Sequence, residues 1–432
     1  MTPAARLSAA IEVLGAIDAQ RVPAQTALKE WGTSHRFAGS GDRAAIAGLV
    51  FDVLRRRASS AWLLDADTPR ARLLGMLKLE RGFDADKIAA LCDGARFAPE
   101  PLTDAERAAL TSRNVADAPL HIAGDYPEWL DPHLARAFGE ARAEEAAAMA
   151  SRAPLDLRVN TLKAKPEKAL ASLAHLGARA APWSPLGVRI ELGADARNPG
   201  VHAEEIFIKG GVEVQDEGSQ LAALLTGAKP GEQIIDMCAG AGGKTLALAA
   251  MMQGKGRLIA TDRDKRQLAP IHERLSRAGV HNAEVRTPRG ADDTLGDIRE
   301  SADLVVIDAP CTGTGTWRRN PDAKWRMRPG ALEIRIRDQV EVLDRAASLV
   351  KSGGRIAYIT CSVIPEENSD QVAGFLGRHS GFSVVPPAEV MAALGERATD
   401  FQVATRQTAE GLLMTPARTG TDGFFVSILR RR

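Results

Sequence analysis

The stretch Ile234-Ile235-Asp236-Met237-Cys238-Ala239-Gly240-Ala241-Gly242-Gly243-Lys244-Thr245 decides the architecture. A short apolar run ends in an acid, passes through a glycine-rich turn and continues into a helix-forming segment. That is how a strand feeds a helix across a ligand-binding loop. Residues 257–262, 303–309 and 355–361 are further apolar runs separated by helical stretches. The alternation predicts an α/β fold with a parallel sheet wrapped by helices, and 424–429 reads as one more strand.

Upstream the pattern changes twice. Up to about residue 125 the apolar residues recur at helical spacing, as in Ala9-Ala10-Ile11-Glu12-Val13-Leu14 and again over 42–54, with no alternation to suggest strands. Residues 126–205 mix a helical run over 134–138 with strand-like Leu155-Asp156-Leu157-Arg158-Val159-Asn160. Three regions follow: an all-α region over 1–125, a small α+β unit over 126–205 and the sheet domain over 206–432. A chain of 432 residues is long enough for two or three cores.

Composition removes several classes. With 26% charged residues and no long uncharged apolar run, nothing is expected to span a membrane. The start, Met1-Thr2-Pro3-Ala4-Ala5-Arg6, lacks the features of a secretory signal, so a cytoplasmic location is expected. Cys92, Cys238, Cys311 and Cys361 are the four cysteines; they are far apart and unpaired in spacing, so neither disulfides nor a metal site is expected. A net charge of +1 excludes a wholesale electrostatic clamp on nucleic acid, though not a local basic stripe. A monomer is the default expectation.

The glycine loop spans Cys238, Ala239, Gly240, Ala241, Gly242, Gly243 and Lys244, at a strand's carboxyl end. A phosphate-binding loop would need a small residue where Cys238 stands, and a dinucleotide fingerprint would need glycine at Thr245. A ligand without phosphates fits better, such as S-adenosylmethionine with its amino acid portion against bare backbone. Asp262 ends the next strand, where a carboxylate accepts hydrogen bonds from a ribose diol. It could instead cap a helix beginning near Lys265.

Two strand ends carry thiols. Residues 303–307 run into Asp308-Ala309-Pro310-Cys311, and 355–359 run into Thr360-Cys361-Ser362. In a parallel sheet both open into one cleft. Carbon 5 of cytosine is a weak nucleophile, and methylating it requires a thiolate to add at carbon 6 and make the ring an enamine. A carboxyl group at N3 would stabilise the charge shift, and Asp308 is placed for it, as well as for the cofactor. Spacing does not choose between Cys311 and Cys361 as the attacking group. Burial as a small hydrophobe is the ordinary fate of a free cysteine and suits Cys92 and, largely, Cys238. Just beyond, Arg318, Arg319, Lys324, Arg326 and Arg328 interleave with Trp317 and Trp325, combining phosphate attraction with base stacking; a solvated helix face with Trp packed inward is the competing reading.

Taken together these motifs resemble the RNA cytosine-C5 methyltransferase family, closest to the bacterial subgroup that modifies 16S rRNA and carries a NusB-like N-terminal domain. The match rests on Thr360-Cys361-Ser362, Pro310-Cys311, the loop over 236–245, Arg319-Asn320-Pro321-Asp322-Ala323-Lys324-Trp325 and Asp422-Gly423-Phe424-Phe425. The looser N-terminal likeness lies around 42–57. The resemblance implies a Rossmann-like S-adenosylmethionine methyltransferase sheet preceded by an all-α NusB-like domain and a small α+β RNA-binding unit. It also implies that Cys361 attacks and Cys311 assists product release.

It further implies RNA, 16S rRNA in particular, as partner, with Arg158, Asn160, Arg318, Arg319, Lys324 and Trp325 as RNA-binding residues. Gln215-Asp216 likewise resembles RNA- or pocket-facing positions. The chain departs from the family in having Gly240-Ala241 where Ala-Pro is usual, and Arg289 where a third cofactor carboxylate is expected. Asp292 or Asp293 takes that place in the expectation. The rivals are a tRNA cytosine-C5 methyltransferase and a non-catalytic NusB-like RNA-binding factor. The paired thiols, Asp308 and the glycine loop disfavour the second.

Overall fold

In the computed structural model, residues 1–193, 199–288 and 293–432 are described. They fall into two compact units, one of 1–152 with 193 and 317–328, the other of 153–192, 199–288, 293–316 and 329–432.

The first unit is helical. Thr2 accepts a hydrogen bond from the Ala5 amide at 3.1 Å and Pro3 occupies the first turn, so helix Pro3–Gln20 starts where a side-chain acceptor and a preset φ coincide. Thr68 and Pro69 repeat the device for helix Pro69–Arg81, which Gly82 ends in the left-handed region. Leu7, Val13, Leu14, Ile46, Val50, Leu73, Leu74 and Met76 form the shared core. Segment 317–328 belongs here although its sequence neighbours belong to the sheet. Helix Ser40–Arg55 leaves its last carbonyls without intrahelical partners, and this segment supplies donors: Trp325 Nε1 to the Leu54 carbonyl at 2.6 Å and Lys324 Nζ to that of Arg55 at 3.0 Å.

The second unit holds two sheets. The smaller comprises β1 (Leu155–Val159), β2 (Arg179–Ala180), β3 (Gly187–Ile190) and β4 (Val212–Val214), in the order β2-β3-β1-β4. All its pairings are antiparallel. Leu157, Val159, Val188, Ile190 and Val212 make its core. Because Val212 pairs with Val159, the sheet runs past residue 205.

The larger sheet comprises β5 (Gln233–Asp236), β6 (Arg257–Thr261), β7 (Ala283–Arg286), β8 (Ala302–Asp308), β9 (Val350–Thr360), β10 (Phe382–Val384), β11 (Arg406–Gln407), β12 (Leu412–Met414) and β13 (Phe424–Arg431). Its order is β11-β12-β13-β9-β8-β5-β6-β7, with β10 against β13. From β9 to β7 every pairing is parallel, as the alternation predicts. The other edge is antiparallel: β13 runs against β9 with Phe425 opposite Thr360, and β12 runs against β13. The β12–β13 pairing follows from chain length, since a parallel return needs a crossover of about a dozen residues or more and the link from Met414 to Phe424 is shorter. The order in which successive strands are added reverses between the parallel neighbours β5 and β8, and their carboxyl ends form the crevice that such sheets use for ligands. The sheet is the Rossmann-like one expected.

Candidate active site

At the end of β5, backbone bonds fold the glycine loop against its neighbours. The Met237 amide donates to the Val306 carbonyl and the Ala239 amide to that of Thr261, both at 3.0 Å. Gly240 donates its amide to Asp262 Oδ2 at 2.8 Å, and Asp262 Oδ1 accepts the Asp264 amide at 2.8 Å. Asp264, not Asp262, caps the helix starting at Lys265. Asp262 therefore braces the loop, and each of its oxygens keeps a lone pair for a ribose hydroxyl. Gly242 has φ 86° and helix Gly243–Met251 begins directly after it. Arg274 donates to the Ala241 carbonyl at 2.8 Å.

Asp236 is buried beneath this loop. Thr245 donates to its Oδ2 at 2.7 Å, while Oδ1 has no partner among the described residues. Burial pushes its carboxyl up to about 7. The Cys238 thiol is pushed well above its ordinary range by burial and by the charges of Asp262, Asp236 and Asp308, which suits an inert group. A loop of bare backbone, a braced carboxylate with spare lone pairs and a buried acceptor without a partner fit S-adenosylmethionine. Asp292 lies outside the described residues. Asp293, its alternative, is ion-paired to Arg345.

Lys244 does not point along the loop. Its Nζ donates to Asp308 Oδ2 at 2.7 Å and to Ser219 Oγ at 3.2 Å, and lies 5.0 Å from the Phe424 ring centroid. The glycine loop and the end of β8 are thereby tied together. The loop motif alone assigns Lys244 to the cofactor and gives no sign of this second attachment.

The two strand-end thiols meet: Cys311 Sγ and Cys361 Sγ are 3.3 Å apart. Hydrogen bonding with Cys361 and burial hold the Cys311 thiol well above its ordinary range. At that separation either sulfur can donate its S–H to the other. The Cys361 loop is knit by Thr360 Oγ1 donating to Asn368 Oδ1 at 2.5 Å and Asn368 Nδ2 donating to the Ser362 carbonyl at 2.8 Å. Gly315 donates to the Cys361 carbonyl at 3.0 Å, and Gly423 donates to the Gly315 carbonyl at 2.8 Å. The motif 422–425 thus braces the thiol loops from the last strand.

Glu367 does not stand out in the sequence. It lies in the turn Pro365–Glu367 after Cys361, buried, and accepts the Thr312 amide at 2.8 Å and Gln339 Nε2 at 3.1 Å. Burial raises its carboxyl above the ordinary range against opposing hydrogen bonds from Ser362, Thr312 and Gln339. The one signal for it is an acid following the Thr-Cys-Ser turn at a strand end.

Of the residues expected to face RNA, Arg158, Asn160, Arg318 and Lys324 are buried, and Arg319 and Trp325 half-buried. Arg158 and Asn160 are 3% and 2% exposed. Arg158 Nε donates to Gln215 Oε1 at 2.7 Å, and Asn160 Nδ2 donates to the Gly210 and Ala278 carbonyls at 2.9 Å. Both are interior braces of the second unit. Lys324 is 0% exposed, and burial pushes its ammonium down to about 7. Trp325 packs on the helical core beneath the Arg57 guanidinium. Arg318 is buried and Arg319 half-buried, whereas Arg326 and Arg328 are exposed. Capping helix Ser40–Arg55 is what Lys324 and Trp325 do, so direct RNA contact does not fit them. Among the described residues no group of three or more His, Cys, Asp or Glu is placed to hold a metal, and no helix is long and apolar enough to cross a membrane.

Family models match two stretches of the chain: 16S rRNA methyltransferase RsmB/F over 223–430, and the ferredoxin-like domain of RsmF/B-like methyltransferases over 126–197. A probable ribosomal RNA small subunit methyltransferase B of Synechocystis is 29% identical over 90% of this chain and 91% of that one. The ribosomal RNA small subunit methyltransferase B of Sodalis glossinidius is 34% identical over 69% of this chain and 64% of that one. The solved structure of PH0851 superposes with a TM-score of 0.70 at 24% identity, covering 100% of this chain and 99% of its own. These matches, with the glycine loop and the fold behind it, show that the chain belongs to the 16S rRNA methyltransferase RsmB/F family and is a methyltransferase whose cofactor is S-adenosylmethionine.

Proposed function

We propose that the protein methylates carbon 5 of a cytosine in RNA, with 16S rRNA as the substrate, through a covalent intermediate on Cys361. The observation that carries this is the 3.3 Å approach of Cys311 and Cys361 at neighbouring strand ends, beside the loop that receives the cofactor. Bound S-adenosylmethionine supplies an electrophilic methyl group. Cys361 adds as thiolate to C6, forming an S–C bond and moving electron density to C5. N3 takes up a proton from solvent as the adduct forms, and its N–H donates to Asp308, which Lys244 holds in place. After methylation, the C5 proton leaves, the C5=C6 double bond re-forms and Cys361 is expelled, with Cys311 assisting. The glycine loop, Asp262 and Asp308 orient the cofactor. The helical unit, NusB-like by resemblance, and the small sheet contribute RNA binding. Arg326 and Arg328 are the exposed cations of the basic segment that follows Cys311.

The deciding experiment mixes Cys311→Ala or Cys361→Ala with substrate RNA and S-adenosylmethionine. Cys311→Ala should accumulate a protein–RNA adduct stable to denaturing electrophoresis, and Cys361→Ala should form none. The reverse pattern would exchange the roles, and no adduct in either would remove the covalent route. Bisulfite mapping of ribosomal RNA from cells with and without the gene should show one cytosine losing its mark; an unchanged map overturns the 16S assignment.

A further inference from the structure

We infer that Glu367 is a positioning residue that clamps the Cys311 loop against Cys361 and thereby controls release of the methylated base. This rests on the covalent reading above. Glu367 stands six residues beyond Cys361, yet its carboxylate reaches across to the other thiol's loop. One oxygen accepts the backbone N–H of Thr312, the residue after Cys311, at 2.8 Å, and the other accepts the Thr312 hydroxyl. Gln339 Nε2 donates both to Glu367 at 3.1 Å and to the Pro310 carbonyl, before Cys311, at 2.9 Å. Cys311 is therefore pinned on both flanks. Tyr358 in turn donates to the Glu367 backbone carbonyl at 2.7 Å and fixes the clamp at its root. The Glu367 side chain is fully buried, and a carboxylate in that setting is tolerated only because donors meet it. Its carboxylate is held by Thr312 and Gln339, which flank Cys311 in space, so the role assigned to it is exerted through Cys311.

The step it governs is an elimination. The C5–H bond breaks and its proton passes to water; the electron pair closes C5=C6; the C6–S bond opens and returns Cys361 as thiolate. Cys311 assists only if it stays beside the departing sulfur, and a displacement near 1 Å at a reacting centre costs about a hundredfold in rate.

The test uses the full chain with a 16S rRNA fragment and S-adenosylmethionine. It compares Glu367→Ala, Glu367→Gln and Cys311→Ala for adduct on denaturing gels and for product. Without RNA, bridging of Cys311 and Cys361 by dibromobimane reports the thiol geometry independently of activity. Glu367→Ala should trap adduct, slow product release about a hundredfold and slow bridging about tenfold. Glu367→Gln keeps one acceptor oxygen for the Thr312 amide and should fall between it and the wild type. Bridging at the wild-type rate in Glu367→Ala, or equal loss of adduct and product, overturns the inference. Should Glu367→Ala fail to fold, Thr312→Val removes only the hydroxyl contact and is judged by the same outcomes. If Cys311→Ala traps no adduct, the covalent assignment fails; if it traps adduct and Glu367→Ala does not, only the role of Glu367 fails.

Discussion

Lys244 Nζ lies 2.7 Å from Asp308 Oδ2, so one ion pair joins the cofactor loop to the strand end that carries the acid. If its task is to orient Asp308, Lys244→Met should lower kcat about tenfold or more while changing the dissociation constant for S-adenosylmethionine far less. Isothermal titration beside single-turnover kinetics separates the two. An equal loss in cofactor affinity would assign Lys244 to the methyl donor.

The loop's two left-handed glycines should differ in tolerance. A Cβ at Gly242 would sit 2.5 Å from Ile271 Cγ1 at φ 86°, whereas one at Gly240, φ 49°, meets nothing within 4 Å. Gly242→Ala should destabilise by roughly 1–3 kcal/mol from crowding, in addition to backbone strain. Gly240→Ala should cost about 1 kcal/mol from strain alone. Urea unfolding of the two variants checks the ranking, and equal losses would contradict it.

Lys324 makes stability depend on pH. Burial lowers its ammonium to about 7 in the folded chain, with Arg55 and Arg56 reinforcing the shift and Asp125 opposing it. Between about 7 and the ordinary lysine value near 10.4, the unfolded chain binds a proton that the folded chain does not, so stability rises with pH across that window. Below it both states are protonated and above it neither is. Relative to Lys324→Met, the wild type should therefore gain about 1–3 kcal/mol between pH 6.5 and 9.5 in urea unfolding. A constant difference would mean the ammonium is not desolvated.

RNA affinity should distinguish exposed from buried cations within one segment. Removing a cation that neutralises one phosphate lowers the slope of log affinity against log salt by about 0.7–0.9. Arg326→Ala with Arg328→Ala should flatten the slope by roughly 1–2, while Lys324→Met leaves it unchanged. Filter binding over a salt series measures this, and a flattened slope in Lys324→Met would restore that lysine to the interface.

What the sequence made legible was whatever local pattern determines. Apolar runs ending in Asp236, Asp308 and Cys361 mark the carboxyl ends of β5, β8 and β9, because strand, turn and helix each leave a short-range signature. The meeting of Cys311 with Cys361 follows from parallel neighbours ending level. Partnerships made across the chain were not legible. Lys324 reads as a surface cation because its acceptor, the Arg55 carbonyl, lies 269 residues earlier. Glu367 reads as one acid among Glu366, Glu367 and Asp370 because the amide that selects it belongs to Thr312. The antiparallel pairing of β13 with β12 depends on a link too short for a crossover, which hydropathy does not reveal.

The capping of helix Ser40–Arg55 by Lys324 and Trp325 also sets a schedule for biosynthesis. The Lys324 donor follows its Arg55 acceptor by 269 residues, a delay of roughly 15–50 s at ordinary translation speeds. Throughout that interval the emerging helices carry two bare carbonyls and an open seat for an indole. A helix made earlier in synthesis is thus finished only by residues that emerge much later.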